Sequence, residues 1–381
     1  MSSIDAPSMG VEEEFLLVDS AGDTLSCADQ VLDAAGPVGL PAQREVGQAQ
    51  LELNSPVCHD ARDLRRHVLT ARATAAAAAL SADARLIAAG VQPGGTRFPD
   101  LTDHDRYRDL AAHAGPLLTE QLVCGCHIHI GVPDREIGAQ VLNHLRPWLP
   151  TLLALTANSA IHHGRDTGYA SWRAVLQSRW ACAGAPPYFT SAAHYDELVT
   201  TMVDSGAILD ESAVYWDARL SAHLPTVEIR VADVPATADE TVVLATLVRA
   251  LVAAAQRLIA EGQAAPLVPE QLLRAATWRA ARDGLTGSGI HLPTGRPQPQ
   301  ADLLAELIRH VRPELDRFGD LRLTTTLLNR VLAQGNGATQ QRHAFSARGT
   351  VTDTLAHLER LTIQDLPSPT TPPERPKAVQ D

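Results

Sequence analysis

Four short stretches of the chain alternate apolar and polar residues with a period of two, the mark of strands that bury one face. In "GVEEEFLL", Glu12 and Glu14 share a face while Val11, Phe15 and Leu17 take the other. In "QLELNS", Gln50, Glu52 and Asn54 oppose Leu51 and Leu53. "CGCHIHIGV" sets His127 and His129, with Gly125 and Gly131, against Cys124, Cys126, Ile128 and Ile130. "TVEIRVA" sets Glu228 and Arg230 against Val227, Ile229 and Val231. Glu13 falls on the apolar side of its strand, which places it near the strand's end.

Helical spacing fills much of the remainder. The Ala- and Arg-rich stretch from Asp60 to Gly90 reads as one long helix closed by that glycine. Apolar periodicity predicts further helices at Glu240 to Gly262, Pro269 to Gly284, Leu303 to Phe318 and Leu321 to Gln334. Strands in the first third and again after residue 225, with helices between and after, predict a mixed sheet in a single α+β domain over residues 1–365. The stretch from Leu366 to Asp381 carries five prolines and few apolar residues, so a disordered tail is expected there.

Composition narrows the function classes. A chain of 381 residues that is 45% hydrophobic can bury a substantial core. No apolar run approaches the length of a membrane span and the N-terminus does not resemble a signal peptide, so a cytoplasmic protein without membrane partners is expected. Five cysteines without a CxxC pair suit reduced thiols rather than a disulfide framework. The net charge of -12 argues against a nucleic-acid partner. The only lysine is Lys377, in the tail. That excludes a P-loop lysine, a pyridoxal phosphate Schiff base and a lysine-adenylate nucleophile, each of which needs an amine within the fold. Any phosphate must be met by arginine, backbone N–H groups or a metal.

The alternation also bears on the cysteine-histidine stretch. A tetrahedral Cys2His2 zinc site needs all four side chains on one side. A strand puts the cysteines on the apolar face and the histidines on the polar one, where they are either a ligand or anion site or satisfied strand residues. For each strand singly, a solvated face explains the pattern. Such a face usually mixes Lys, Thr, Ser and Gln, whereas these positions hold Glu, His and Arg. If the strands are neighbours, the glutamates repel one another and need cations, and an oxygen-rich set selects Mg²⁺ or Mn²⁺. Two uses are open: holding nucleotide phosphates through metals, or a hydrolytic metal centre.

"GVEEEFLLVD", "CGCHIHIGVPD", "SRW" followed by "PPYF", "YWDARLSAHLPTVEIRVADV" and "GNGATQQRHAF" resemble, in order, the motifs of the glutamate-cysteine ligase type 2 family of bacterial carboxylate-amine ligases. The resemblance implies a glutamine synthetase-like fold: an antiparallel sheet curved into a funnel, polar on its active-site face, with helices packed behind. It implies an ATP-dependent ligase using Mg²⁺ or Mn²⁺. ATP phosphorylates a carboxylate, often the γ-carboxylate of glutamate, and an amine such as cysteine attacks the acyl phosphate, releasing ADP and phosphate.

Position by position, Glu12 and Glu14 match the first-strand metal carboxylates, Glu52 the second-strand ligand and Glu228 a further metal glutamate. Glu45 falls where an acid near the amine site is expected. His127 matches a metal or nucleotide-side histidine, with His129 its same-face companion. Arg230 matches a phosphate contact, Arg179 and Arg219 basic residues near the substrate, and Arg342 in "QQRHAF" a nucleotide-side cation. Cys126 stands where an aliphatic residue is expected, a change confined to the apolar face. The implied partners are a small amino acid and an amine, and a homo-oligomer is left open. A metal-dependent hydrolase using the His/Glu cluster is the alternative, against which stands the lack of HExxH; a binding protein that keeps the fold without turnover is the third.

Overall fold

The computed structural model describes residues 6–36, 39–96 and 98–364, so the Pro-rich stretch 366–381 lies outside the described residues. Its strands are β1 (Met9–Val18), β2 (Ala42–Arg44), β3 (Gln50–Asn54), β4 (Arg85–Ile87), β5 (Gly125–Gly131), β6 (Ile161–His162), β7 (Arg165–Asp166), β8 (Ala218–Leu220), β9 (Thr226–Asp233), β10 (Ser288–His291) and β11 (Arg296–Pro299), the last two paired with each other. Seven of them form one sheet in the order β2-β3-β1-β5-β9-β8, with β4 added to β1. β6 and β7 make a separate hairpin.

Every pairing in the sheet is antiparallel, so the mixed sheet expected from strand and helix order is corrected. An intervening helix permits a parallel crossover without requiring one. Between β5 and β9 the chain passes through several helices and the β6–β7 hairpin before it returns antiparallel. The sheet is thus of the kind the family resemblance implied.

The alternation holds strand by strand. Val11, Ile128, Ile130, Val227 and Ile229 are buried against Leu64 and Val68 of the helix Ala61–Ser81, Leu142 of the helix Arg135–Leu145, and Val242 and Leu251 of the helix Ala238–Ala260. Each such aliphatic side chain contributes about 1.5–3 kcal/mol when fully buried. Phe15, Leu17, Leu51 and Leu53 join a second cluster with Ala75, Leu86 and Leu358. All five cysteines are free and buried, and Cys126 packs in the core on the side opposite His127.

Three expectations are corrected here. The helix from Asp60 stops at Ser81; Asp83 then takes a positive φ of 54°, and Arg85–Ile87 pairs with β1. The edge of β1 captures a segment whose Ala-rich composition reads as helix. The helix Ala238–Ala260 does reach the length and apolarity of a membrane span, with a mean hydropathy of 1.8, but 83% of that window is buried inside the protein. Glu13 lies in mid-strand rather than near an end. Its carboxylate enters the core and meets Arg72, whose Nη2 is 2.5 Å from Oε1 and whose Nε is 3.1 Å from Oε2. Thr241 donates to the same carboxylate at 2.6 Å, while Arg72 also donates to the carbonyls of Pro235, Ala236 and Thr362. A buried charge survives only when paired and hydrogen-bonded in this way.

Candidate active site

Strand register decides which polar residues meet. Glu14 lies opposite Glu52, Glu12 opposite His127, and His129 opposite Glu228, with Gln43 and Arg219 flanking the row on the outer strands. The result is two acidic sets side by side. Glu12, His129 and Glu228 present ligand atoms within 4.8 Å of one another, and so do Glu14, Glu45 and Glu52. His127 sits between them: Nδ1 is 3.2 Å from Glu12 Oε2 and 3.9 Å from Glu228 Oε1, and Nε2 is 3.6 Å from Glu14 Oε1.

Local contacts fix each carboxylate. The Gly125 N–H donates to Glu14 at 2.6 Å. Gln43 donates to Glu52, as does Asn54 at 3.1 Å. Arg219 grips Glu228 with two bonds, 2.7 and 3.2 Å long, while its Nη1 donates to the carbonyls of Ser212 and Val214. Arg230 donates to Glu228 and approaches His127 Nδ1 at 3.4 Å. Glu45, in the connection between β2 and β3, accepts the N–H of Val46.

The electrostatics differ between the two sets. Burial pushes Glu228 up, but Arg230 and Arg219 outweigh it and hold the carboxylate well below the usual range. Burial of Glu12 is likewise outweighed by the hydrogen bond with His127 and by the closeness and charge of His127 and His129. Burial and the Arg230 charge push His127 down, which favours its neutral, ligand-competent imidazole. In the other set the crowding wins, with Arg230 and Arg106 opposing the rise at Glu45 without cancelling it. Burial and the charges of Glu12, Glu45 and Glu14 push Glu52 up to about 8. Burial and Glu14 push Glu45 up to about 7.

The donor sets fit divalent cations. His129 Nε2 is buried, lies 3.2 Å from Glu12 Oε1 without the alignment of a hydrogen bond, and has no hydrogen-bond partner among the described residues. The second set holds three carboxylates whose repulsion a cation relieves. Carboxylate oxygens with imidazole in one set and carboxylates alone in the other suit Mg²⁺ or Mn²⁺.

Other predicted residues stand elsewhere. Arg179, just beyond the short helix Trp172–Gln177, pairs with Glu120 at 2.8 Å on the surface. Arg342, on the helix Gly337–Arg348, pairs with Asp166 at 3.0 Å on an exposed flank. Neither reaches the carboxylates, and each has the surface ion pair ordinary for an arginine near a helix end. Arg219 does join the cluster, where it holds Glu228.

Two residues were missed. Arg173 is buried beside Gly125, where a Cβ would lie only 2.5 Å from its guanidinium, and it donates to the carbonyls of Arg230 and Val231. One arginine in a short helix carries no period that could mark it. Asp217 precedes Arg219 by two residues, so alternation puts both on one face; that signal was present in "YWDAR". Both line a cavity of about 580 Å³ that also reaches Arg230, Trp180 and Tyr215. A wider cavity of about 920 Å³ opens at the opposite end of the strands, beside Glu12, Asn54, His129 and Thr226.

Comparison with known proteins agrees with this geometry. A protein of Nocardia farcinica provisionally named glutamate--cysteine ligase 2-1 is 48% identical over 362 residues, covering 95% of this chain and 94% of its own. A similarly named Salinispora arenicola protein is 46% identical over 363 residues, covering 95% and 96%. Among solved structures, glutamate–cysteine ligase from Francisella tularensis in complex with AMP has a TM-score of 0.69 at 14% identity, covering 96% of this chain and 90% of its own. A bifunctional glutathione synthetase from Pasteurella multocida has a TM-score of 0.68 at 14% identity, covering 94% and 52%. Sheet, site and relatives together define a carboxylate-amine ligase, an enzyme that forms C–N bonds. More narrowly, the chain belongs to the glutamate-cysteine ligase family 2 (GCS2), which it matches over residues 8–358.

Proposed function

We propose that the protein uses ATP to phosphorylate a carboxylate, in the first instance the γ-carboxylate of glutamate, and passes the acyl group to an amine such as cysteine. The observation that carries this reading is the pair of acidic sets on one sheet face, bridged by His127 and bordered by Arg230, in a chain without a lysine among the described residues. The AMP complex of the Francisella tularensis ligase supports an adenine nucleotide as the second ingredient.

Glu12, His129 and Glu228 would hold one Mg²⁺ or Mn²⁺, and Glu14, Glu45 and Glu52 another; such ions neutralise polyphosphate and developing charge. Arg230, half-buried and fixed by Glu228, keeps its charge and meets the oxygens of the transferred phosphoryl group without reorganising. Arg219 has its donors engaged by Glu228 and two carbonyls, so it orients Glu228 rather than substrate. The half-buried and buried site residues limit water, which would otherwise hydrolyse an acyl phosphate.

The test is ADP release in the presence of Mg²⁺, ATP, glutamate and candidate amines. ADP formation that requires both a carboxylate and an amine is the expected result. Pyrophosphate release would replace the acyl phosphate with an acyl adenylate, and ATP-independent hydrolysis would restore the hydrolase reading.

A further inference from the structure

A ligase of this kind faces a proton problem. Amines are largely protonated at neutral pH, since an α-amino group titrates near 7.7–8.0 and an alkylammonium near 10.4. An ammonium has no lone pair with which to attack an acyl phosphate, so the site must supply a base. The carboxylates of the two acidic sets are poor choices because Arg219 and Arg230 hold Glu228 and, on the reading above, divalent cations would occupy the rest. Glu45, placed near the amine by family resemblance, belongs by geometry to the set with Glu14 and Glu52.

One carboxylate near Arg230 belongs to neither acidic set. Asp217 Oδ2 is buried without a hydrogen-bond partner among the described residues, and Asp217 lines the 580 Å³ cavity together with Arg230. Its backbone is held on both sides: its N–H donates to Gly184 O at 2.7 Å, and the Arg230 N–H donates to its carbonyl at 2.8 Å. The cavity is built for a polar ligand. Arg146, Arg173 and Gln177 also line it, and Arg146 Nε, Arg173 Nε and Gln177 Oε1 are buried without a hydrogen-bond partner among the described residues. Unsatisfied buried atoms cost about 1–3 kcal/mol each, and several at one cavity mark a ligand position.

We infer that this cavity receives the amine substrate and that Asp217 is the base that takes its proton. The inference rests on the ligase reading above. The Asp217 carboxylate accepts one proton from the ammonium. The freed nitrogen lone pair attacks the acyl-phosphate carbonyl carbon, the C–N bond forms, and the C–O bond to the phosphoryl group breaks with its electron pair leaving on phosphate. The second nitrogen proton goes to the departing phosphate, and Asp217 returns its own to water at the cavity mouth. The charged and titratable groups around Asp217 are Arg173 of the helix Trp172–Gln177, Arg230 of β9, neighbouring Tyr215, and Arg146, Glu270 and Arg274 across the cavity. Burial pushes the Asp217 carboxyl up to about 6, with Arg173 opposing, which suits a base that is ionised at pH 7 yet holds a proton well.

The experiment compares D217N with the wild type, both checked by melting temperature, using glutamate and two kinds of nucleophile. L-cysteine and ethylamine arrive protonated and need the base, whereas hydroxylamine is largely neutral at pH 7 and does not. Expected is a fall of about 100-fold or more in kcat with the protonated amines, loss of the acidic limb of the pH profile, and near-normal hydroxamate formation. D217E should recover part of the amine-dependent rate with a shifted limb. Equal losses with all nucleophiles, or an unchanged pH profile in D217N, would overturn the assignment. Failure of the wild type to make hydroxamate from any amino acid would sink the ligase reading itself, and the base with it.

Discussion

Replacing Glu52 with glutamine should stabilise the cation-free protein while removing its turnover. Glu52 is buried, and its carboxyl is pushed from 4.5 up to about 8 by burial and by Glu12, Glu45 and Glu14. A raised folded value means that the folded state binds the proton more tightly. The destabilisation from ionised Glu52 is therefore absent below about pH 4.5, grows as pH rises, and is complete above about pH 8. At 1.36 kcal/mol per pH unit, the interval amounts to roughly 5 kcal/mol in full and roughly 3 kcal/mol at pH 7. Neighbouring Glu45 shares the proton load, so a gain of about 1–2 kcal/mol is the expected measurement. Glutamine keeps a carbonyl oxygen to accept from Gln43 and Asn54, which now donate to Glu52 Oε1. The assay is thermal melting of both proteins at pH 5, 7 and 8.5, in EDTA and in Mg²⁺. In EDTA the variant should melt higher than the wild type at pH 8.5 and converge with it towards pH 5. Mg²⁺ should raise the wild type more than the variant. A variant that melts lower at pH 8.5 in EDTA would refute the reasoning, because Glu52 would then be held by structural partners rather than strained by its neighbours.

Arg72→Ala strands Glu13 in the core and should cost about 3–5 kcal/mol, read as a lowered urea midpoint; an unchanged midpoint would show that the pair is not needed. Cys126→Val keeps a small apolar side chain in the core and should preserve activity, whereas His127→Ala should lose ATP turnover with the fold retained. Zinc in the purified protein that disappears together with activity in the cysteine variant would reverse that contrast. Excess chelator should stop ATP turnover, and full activity in its presence would remove the role given to the two acidic sets.

The period of two was enough to place Glu12, Glu14, Glu52, His127, His129, Glu228 and Arg230 on one face, because each strand carries its own alternation. It could not say that Glu14 faces Glu52 or that His129 faces Glu228, since register across strands far apart in sequence depends on tertiary packing. Glu45 sits in a connection without periodicity, and only the family resemblance marked it. Arg179 and Arg342 lie away from that face, and the sequence could not show it for a related reason: an arginine near a helix end reads the same whether it points to a substrate or to Glu120 and Asp166. β4 was hidden because Arg85–Ile87 continues an Ala-rich stretch, and its strand state comes from the edge it joins.

The run Glu12-Glu13-Glu14 has a consequence for how the chain finds its fold. Three identical residues in a row give a strand no local cue about which of them should face inward. Sliding β1 by one position would leave hydropathy at this point unchanged while exchanging the two faces of the sheet. Val11, Phe15 and Leu17 on either side favour one setting, and Arg72, 59 residues further along the chain, reinforces it, since it can neutralise a single inward carboxylate but would leave a second one buried and uncompensated. The helix that carries Arg72 thereby acts as a ruler for the strand: the pairing that seats one glutamate on the guanidinium also sends its two neighbours outward. A protein lacking that arginine would be left with the flanking apolar residues as its guide, so its acidic face would be expected to assemble more slowly on refolding even with every glutamate in the sequence.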